Sequence, residues 1–194
     1  MPRRYDMSAR EEARRRTREA ILDAAVELFT AAPYEEVTLA DVAASAGVST
    51  QTVLNHFENK PGLYLSGVTE RLGPVVEQLR SGAVAGDVDS VVAAVLRDYE
   101  TTGDGTFRTI ELVERLPELR PVLRLGDEHH RGWVREVLAP RLDRLPPRER
   151  ERALALAVVV LDVRTWQHLR RVQGLGTDTC QDHLGHLLEA VLTG

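Results

Sequence analysis

The chain has 194 residues, 43% of them hydrophobic, and a formal net charge of −5 from 25 Lys and Arg against 30 Asp and Glu. That balance excludes a disordered or collagen-like polymer, and the length admits a small amino-terminal domain and a larger second unit. One cysteine, Cys180, excludes an intramolecular disulfide, and the longest apolar run, residues 153–161, is too short to span a bilayer, so a cytoplasmic protein is expected.

Residues 1–18 hold seven arginines, among them Arg14, Arg15, Arg16 and Arg18, against three carboxylates. In an acidic chain this is a local phosphate-seeking arm. An amphipathic helix is expected over residues 18–31, with Ile21, Ala25, Leu28 and Phe29 on one stripe and Glu19, Asp23 and Glu27 toward water; Pro33 stops it. Residues 38–60 then read as a helix-turn-helix followed at once by a third helix start. Val42, Ala43 and Ala46 share a face, Gly47 and Val48 interrupt it, and Val53 and Phe57 resume it. Thr38 and Asp41 form an approximate capping box, Ser49 caps the second helix, and Asn59 caps the third with Pro61 in its first turn.

The second helix of the motif carries no formal charge between Ser49 and Phe57. Its polar side chains are Thr50, Gln51, Thr52, Asn55 and His56. Gln and Asn pair bidentately with adenine and a Thr methyl packs on the thymine methyl, so the helix leans toward A·T positions in double-stranded DNA.

These residues resemble the TetR family of transcriptional regulators. Thr38, Val42, Ala43, Ala46, Gly47, Val48, Ser49, Thr52, Val53, His56, Phe57 and Lys60 match its amino-terminal signature, while Leu54 stands where the family usually has Tyr and Pro33 where its first helix usually ends in Gly. The resemblance implies an all-α fold: a three-helix DNA-binding domain over residues 1–60, then a six-helix ligand-binding and dimerisation bundle over residues 61–194. It assigns Thr50, Gln51 and Asn55 to base edges, and Thr38, Ser49, Thr52, His56, Lys60 and the arm from Arg14 to Arg18 to phosphates.

From residue 63 onward the pattern is helical, with breaks expected at residues 82–86, 103–105, 116–121, 145–147 and 174–176. The last two helices carry apolar stripes, Leu156, Val159 and Val163 on one and Leu184, Leu187, Leu188 and Val191 on the other. The family resemblance implies that such stripes build a homodimer, which suits a pseudo-palindromic operator. An effector pocket is expected in the middle of the bundle, with Tyr99, Phe107, Trp133 and Trp166 as aromatic candidates and Glu111, His130, Arg164 and His168 as polar ones.

No cofactor is expected. Asp127, His129 and His130, and His183 with His186, raise a metal-dependent helical-bundle enzyme as the weaker alternative, but no His-Glu-x-x-His element or cysteine array accompanies them. The expected function is a dimeric repressor released from its operator by a small molecule. A regulator without an effector and an activator stay open beside it.

Overall fold

The structure, a computed structural model, describes residues 3–193, with side chains from residue 9 onward. Two compact units divide at Pro74, and every described element is helical.

In unit 1, α1 (Arg3–Ala31), α2 (Leu39–Ser45), α3 (Thr50–Phe57) and α4 (Lys60–Gly67) enclose one core. Ile21, Leu22, Ala25, Val42, Val53 and Leu63 have no exposed surface, and each larger aliphatic among them contributes roughly 1.5–3 kcal/mol by leaving water. The first helix begins at Arg3, well before the expected residue 18, because the charged arm continues the helix. The ladders of Arg15 with Glu12 and Glu19, at 2.6 and 2.9 Å, support that extension.

The division at Pro74 lies later than the expected boundary at residue 60. Leu63 is part of the core, and a Cβ on Gly67 would stand 3.1 Å from Val26, so α4 seats closely on α1. The π-helical turn over residues 68–72 stays with it, since Glu70 accepts from Arg18 at 2.5 and 2.6 Å and Arg71 donates to Asp23 at 2.6 Å.

Unit 2 is built from the end of α5 (Gly73–Arg80), α6 (Val88–Arg115), α7 (Arg120–Leu142), α8 (Pro147–Val160), α9 (Val163–Gln167) and α10 (Thr177–Thr193). Its core gathers Val91, Val95, Tyr99, Val134, Leu138, Ala157, Leu161, Trp166, Leu184 and Leu188. Among the described residues no helix is long and apolar enough to cross a membrane.

Two helix boundaries differ from the sequence expectation. The break at residues 103–105 does not occur, and α6 runs straight through it. Gly103 serves packing there: a Cβ on it would lie 2.5 Å from the Trp166 ring, so the glycine makes room for the indole. The stretch between the expected breaks at residues 145–147 and 174–176 is not one helix but is divided at Leu161, after which Asp162 caps α9 by accepting from the Arg164 N–H at 2.8 Å.

Substitution of Gly103 by Ala therefore forces Trp166 or α6 to move. We expect Gly103→Ala to lower stability by about 1–3 kcal/mol, the usual range for an overpacked core. Thermal and urea unfolding would show it, and an unchanged midpoint would rule out the close contact.

Candidate nucleic-acid interface

Helix α3 is held by its two flanking turns. At the end of α2, Gly47 has a φ of +67°, the Val48 N–H donates to Ala43 O at 2.9 Å, and the Gly47 N–H donates to Ala44 O at 3.2 Å. This pair of bonds is a Schellman motif, which satisfies the free carbonyls of α2 and turns the chain sharply. Ser49 then caps α3, its Oγ accepting from the Thr52 N–H at 3.1 Å and lying 2.8 Å from the Thr52 hydroxyl.

The far end of α3 is more strained. Glu58 has a φ of +61° and a ψ of −48°, and the Asn59 N–H donates to Phe57 O at 2.6 Å, closing a γ-turn of the rare, positive-φ kind. Asn59 caps α4 by accepting from the Gly62 N–H at 2.8 Å. Gly62 is required by this approach, since a Cβ there would stand 2.7 Å from the Phe57 carbonyl oxygen. Sequence pattern foresaw the cap at Asn59 but not the γ-turn, because Glu is not a residue that signals positive φ.

Between these turns, Val53 and Phe57 are buried while Thr50, Gln51 and Asn55 are exposed together on α3. Gln51 Nε2 donates to Asn55 Oδ1 at 3.0 Å, one turn along the helix, so the two amides stand as a unit. The face thus formed offers donors and acceptors with no formal charge. Leu54, the departure from the family signature, is half-buried beside it.

The residues assigned to phosphates divide into two groups. Arg14 and Arg16 are exposed and make no hydrogen bond or ion pair to another described residue, which leaves their guanidinium groups available. Arg15 and Arg18 are engaged, Arg15 with Glu12 and Glu19 and Arg18 with Glu70, and Arg18 also lies 4.9 Å over the Phe57 ring. The side chains of Arg3 and Arg4, also in the basic arm, lie outside those described. Thr38 works as a cap: its hydroxyl donates to Asp41 at 2.7 Å and accepts from the Asp41 N–H at 3.1 Å. That hydroxyl and the Thr38 N–H hold the Asp41 carboxyl below its usual range.

Lys60 rests with its ammonium 4.1 Å over the Tyr34 ring, and burial draws it below the ordinary lysine range against the opposing pull of Glu35 and Asp41. Tyr34 itself packs with Phe29 and Tyr64 at 5.4 and 5.2 Å. This aromatic seat was not read from the sequence, because its members are 5 to 35 residues apart without a common period. For His56, burial first and then the positive charges of Arg14 and Arg18 push the imidazole down, so it is neutral at pH 7 and can donate one N–H.

In unit 2 the effector candidates do not converge. Tyr99 and Trp166 belong to the core, their rings 5.9 Å apart, with the Tyr99 hydroxyl donating to Leu161 O at 3.0 Å. Glu111, Arg164 and His168 are exposed, and Phe107 is half-buried. His130 and Trp133 instead meet Arg80, a residue the sequence had not singled out. Arg80 is buried, donates to Asp98 at 2.7 Å, lies 3.4 Å from His130 Nδ1, and sits 4.7 Å over Trp133. The apolar stripes also divide: Val163, Leu184 and Leu188 are buried within the unit, whereas Leu156, Val159 and Leu187 are exposed and Val191 is half-buried. Of the histidines read as metal candidates, His130 meets Arg80, and among the described residues no three His, Cys, Asp or Glu side chains gather as a metal site.

The sequence profile of the bacterial regulatory proteins of the tetR family matches residues 21–66, the stretch that holds the capped helices above. A curated relative, the HTH-type transcriptional regulator TcmR of Streptomyces glaucescens, is 31% identical over 143 residues; the match covers 68% of this chain and 63% of TcmR's length. Among solved structures, a transcriptional regulator from Rhodococcus sp. Rha1 matches with a TM-score of 0.63 at 19% identity, covering 93% of this chain and 96% of its own. A TetR-family regulator from Streptomyces coelicolor A3 matches with a TM-score of 0.54 at 24% identity, covering 92% and 96%. At these identities the solved structures establish the fold.

Two outcomes test the local geometry. Gly62→Ala should destabilise unit 1 by about 1–3 kcal/mol, because the new methyl meets backbone and not a flexible side-chain end; a neutral effect on urea unfolding would refute the γ-turn. For His130, burial and then the Arg80 charge push its pKa below 6.5, so the unfolded chain takes up its proton first. Its contribution to stability is complete above about pH 6.5 and is lost as pH falls below that value. Stability should decline less between pH 7.5 and 5.5 in His130→Asn than in the unaltered chain.

Proposed function

We propose, from its similarity to the tetR family of bacterial regulatory proteins, that the chain is a member of that family and a cytoplasmic, homodimeric transcriptional repressor that a small molecule releases from a pseudo-palindromic operator. The observation that carries this reading is the uncharged, exposed face of Thr50, Gln51 and Asn55 on a helix capped at both ends, with guanidinium groups at Arg14 and Arg16 that pair with no other described residue. Such a face discriminates base edges, and such flanks supply the sequence-independent attraction to phosphate.

Dimerisation is supported by the exposed Leu156 and Val159 of α8 and Leu187 of α10, apolar surface that a second copy would remove from water. Val163, Leu184 and Leu188 would support that surface from beneath. The twofold axis would then repeat the reading helix on two half-sites.

Release would act through the helical stretch from Lys60 to Arg80, which ends in the buried cluster of Arg80, Asp98 and His130. An effector that favours another packing of that cluster needs a coupling of only about 1–3 kcal/mol to change operator affinity some five- to 150-fold. The packing of Tyr99 and Trp166 in the core favours a second reading, a DNA-binding regulator without an effector.

Selection from a random DNA library should return a pseudo-palindrome with A·T pairs at the positions read by Gln51 and Asn55. Unsymmetrical sites, or G·C pairs alone at those positions, would refute it. Gln51→Ala should relax the preference at one position in each half-site at a cost of about 1–3 kcal/mol. Arg14→Ala and Lys60→Ala should weaken all sequences alike and flatten the salt dependence by about one phosphate contact each. Arg18→Ala should lower the stability of unit 1 in addition, since its guanidinium already holds Glu70.

A further inference from the structure

Unit 2 carries a groove of about 440 Å³ between α5 and α7, within the range of small-molecule sites. Glu77 and Arg80 line it from α5, Ser81 from the turn that follows, and His129, Gly132, Trp133 and Glu136 from α7. Its charge is set by which groups are already paired. Arg80 is neutralised by Asp98, both of them buried. Glu77 and Glu136 are exposed, and neither makes a hydrogen bond or ion pair to another described residue. The groove therefore presents two unneutralised carboxylates beside a half-buried indole whose ring already attracts one cation, Arg80, at 4.7 Å.

Gly132, exposed on α7, leaves the surface beside Trp133 without a side chain. It lies inside α7, where glycine is unfavourable relative to alanine, and a Cβ on it would meet nothing within 4 Å. Neither a positive φ nor a close neighbour calls for it.

We propose that this groove binds a flat organic cation of two or three fused rings, its ring against Trp133 and its charge between Glu77 and Glu136. Dispersion and cation–π attraction hold the ring, and the two carboxylates select its sign and reject an anion of the same shape. Glu77 lies one turn before Arg80 on α5, so an occupant drawn to Glu77 bears on the segment that ends in the buried cluster. The proposal names the chemical class of the effector and so rests on the ligand-responsive reading, although binding can be measured without it.

The test uses the full chain, calorimetric titration, and two probes matched in size and opposite in charge, N-methylquinolinium and naphthalene-2-sulfonate. Saturable binding of the cation is expected, weakening with salt, with a concurrent change in Trp133 fluorescence that Trp133→Leu removes. Glu77→Gln with Glu136→Gln should weaken it at least tenfold, and Gly132→Leu should abolish it while leaving the thermal unfolding midpoint unchanged or raised. Equal binding of the sulfonate, cation affinity unaltered in both the double variant and Gly132→Leu, or no binding of the cation at millimolar concentration would each overturn the proposal. Cation binding that leaves the operator complex intact would sustain the groove and remove ligand-controlled release.

Discussion

The reading helix depends on one constraint: Val53 and Phe57 must be buried while the backbone on either side makes two turns that few conformations allow. The Schellman turn at Gly47 sets how α3 leaves α2, and the γ-turn at Glu58 sets how it enters α4. Because each turn also satisfies free backbone groups, the orientation of α3 is fixed by hydrogen bonds that cannot be moved singly. Thr50, Gln51 and Asn55 inherit their exposure from that frame. The strain at Glu58, of the order of 1–3 kcal/mol for such a backbone conformation, is held by the core that Phe57 anchors.

Charge around this frame is divided between structure and recognition. Arg18 and Arg71 tie α1 to the segment after α4 through Glu70 and Asp23, and Arg15 laces α1 to itself. Among the described arginines of the basic arm, Arg14 and Arg16 are not engaged by a carboxylate. A count of arginines therefore overstates the electrostatic footprint, because a guanidinium already bidentate to a carboxylate must give up that bond before it serves DNA.

Unit 2 rests on a buried ion pair that its surroundings complete. Asp98 accepts from Arg80 at 2.7 Å and from the Thr102 hydroxyl at 2.7 Å, while Arg80 also donates to the Tyr99 hydroxyl at 3.3 Å. His130 Nε2, 3.2 Å from Val158 O, donates to that carbonyl and leaves Nδ1 to accept from Arg80. Desolvating both charges is tolerable because nearly every polar atom finds a partner, and it makes the cluster intolerant of small changes in packing. A ligand at the adjoining groove would meet this stiff, fully engaged end of α5.

Sequence by itself determined the helical class, the position of the helix-turn-helix, the caps at Thr38, Ser49 and Asn59, and the neutral chemistry of the reading face, because each depends on residues within one or two turns of one another. It misplaced what depends on distant neighbours. Gly103 reads locally as a break and is in fact the space that Trp166 occupies. Arg18 reads as a free cation and is held by Glu70, and Tyr99 and Trp166 read as pocket linings but close the core. Only tertiary structure brought Arg80 to Asp98 and His130, and set Glu77, Trp133 and Glu136 around one groove, since no local rule of spacing or propensity specifies which side chains meet across 18 to 59 residues of chain.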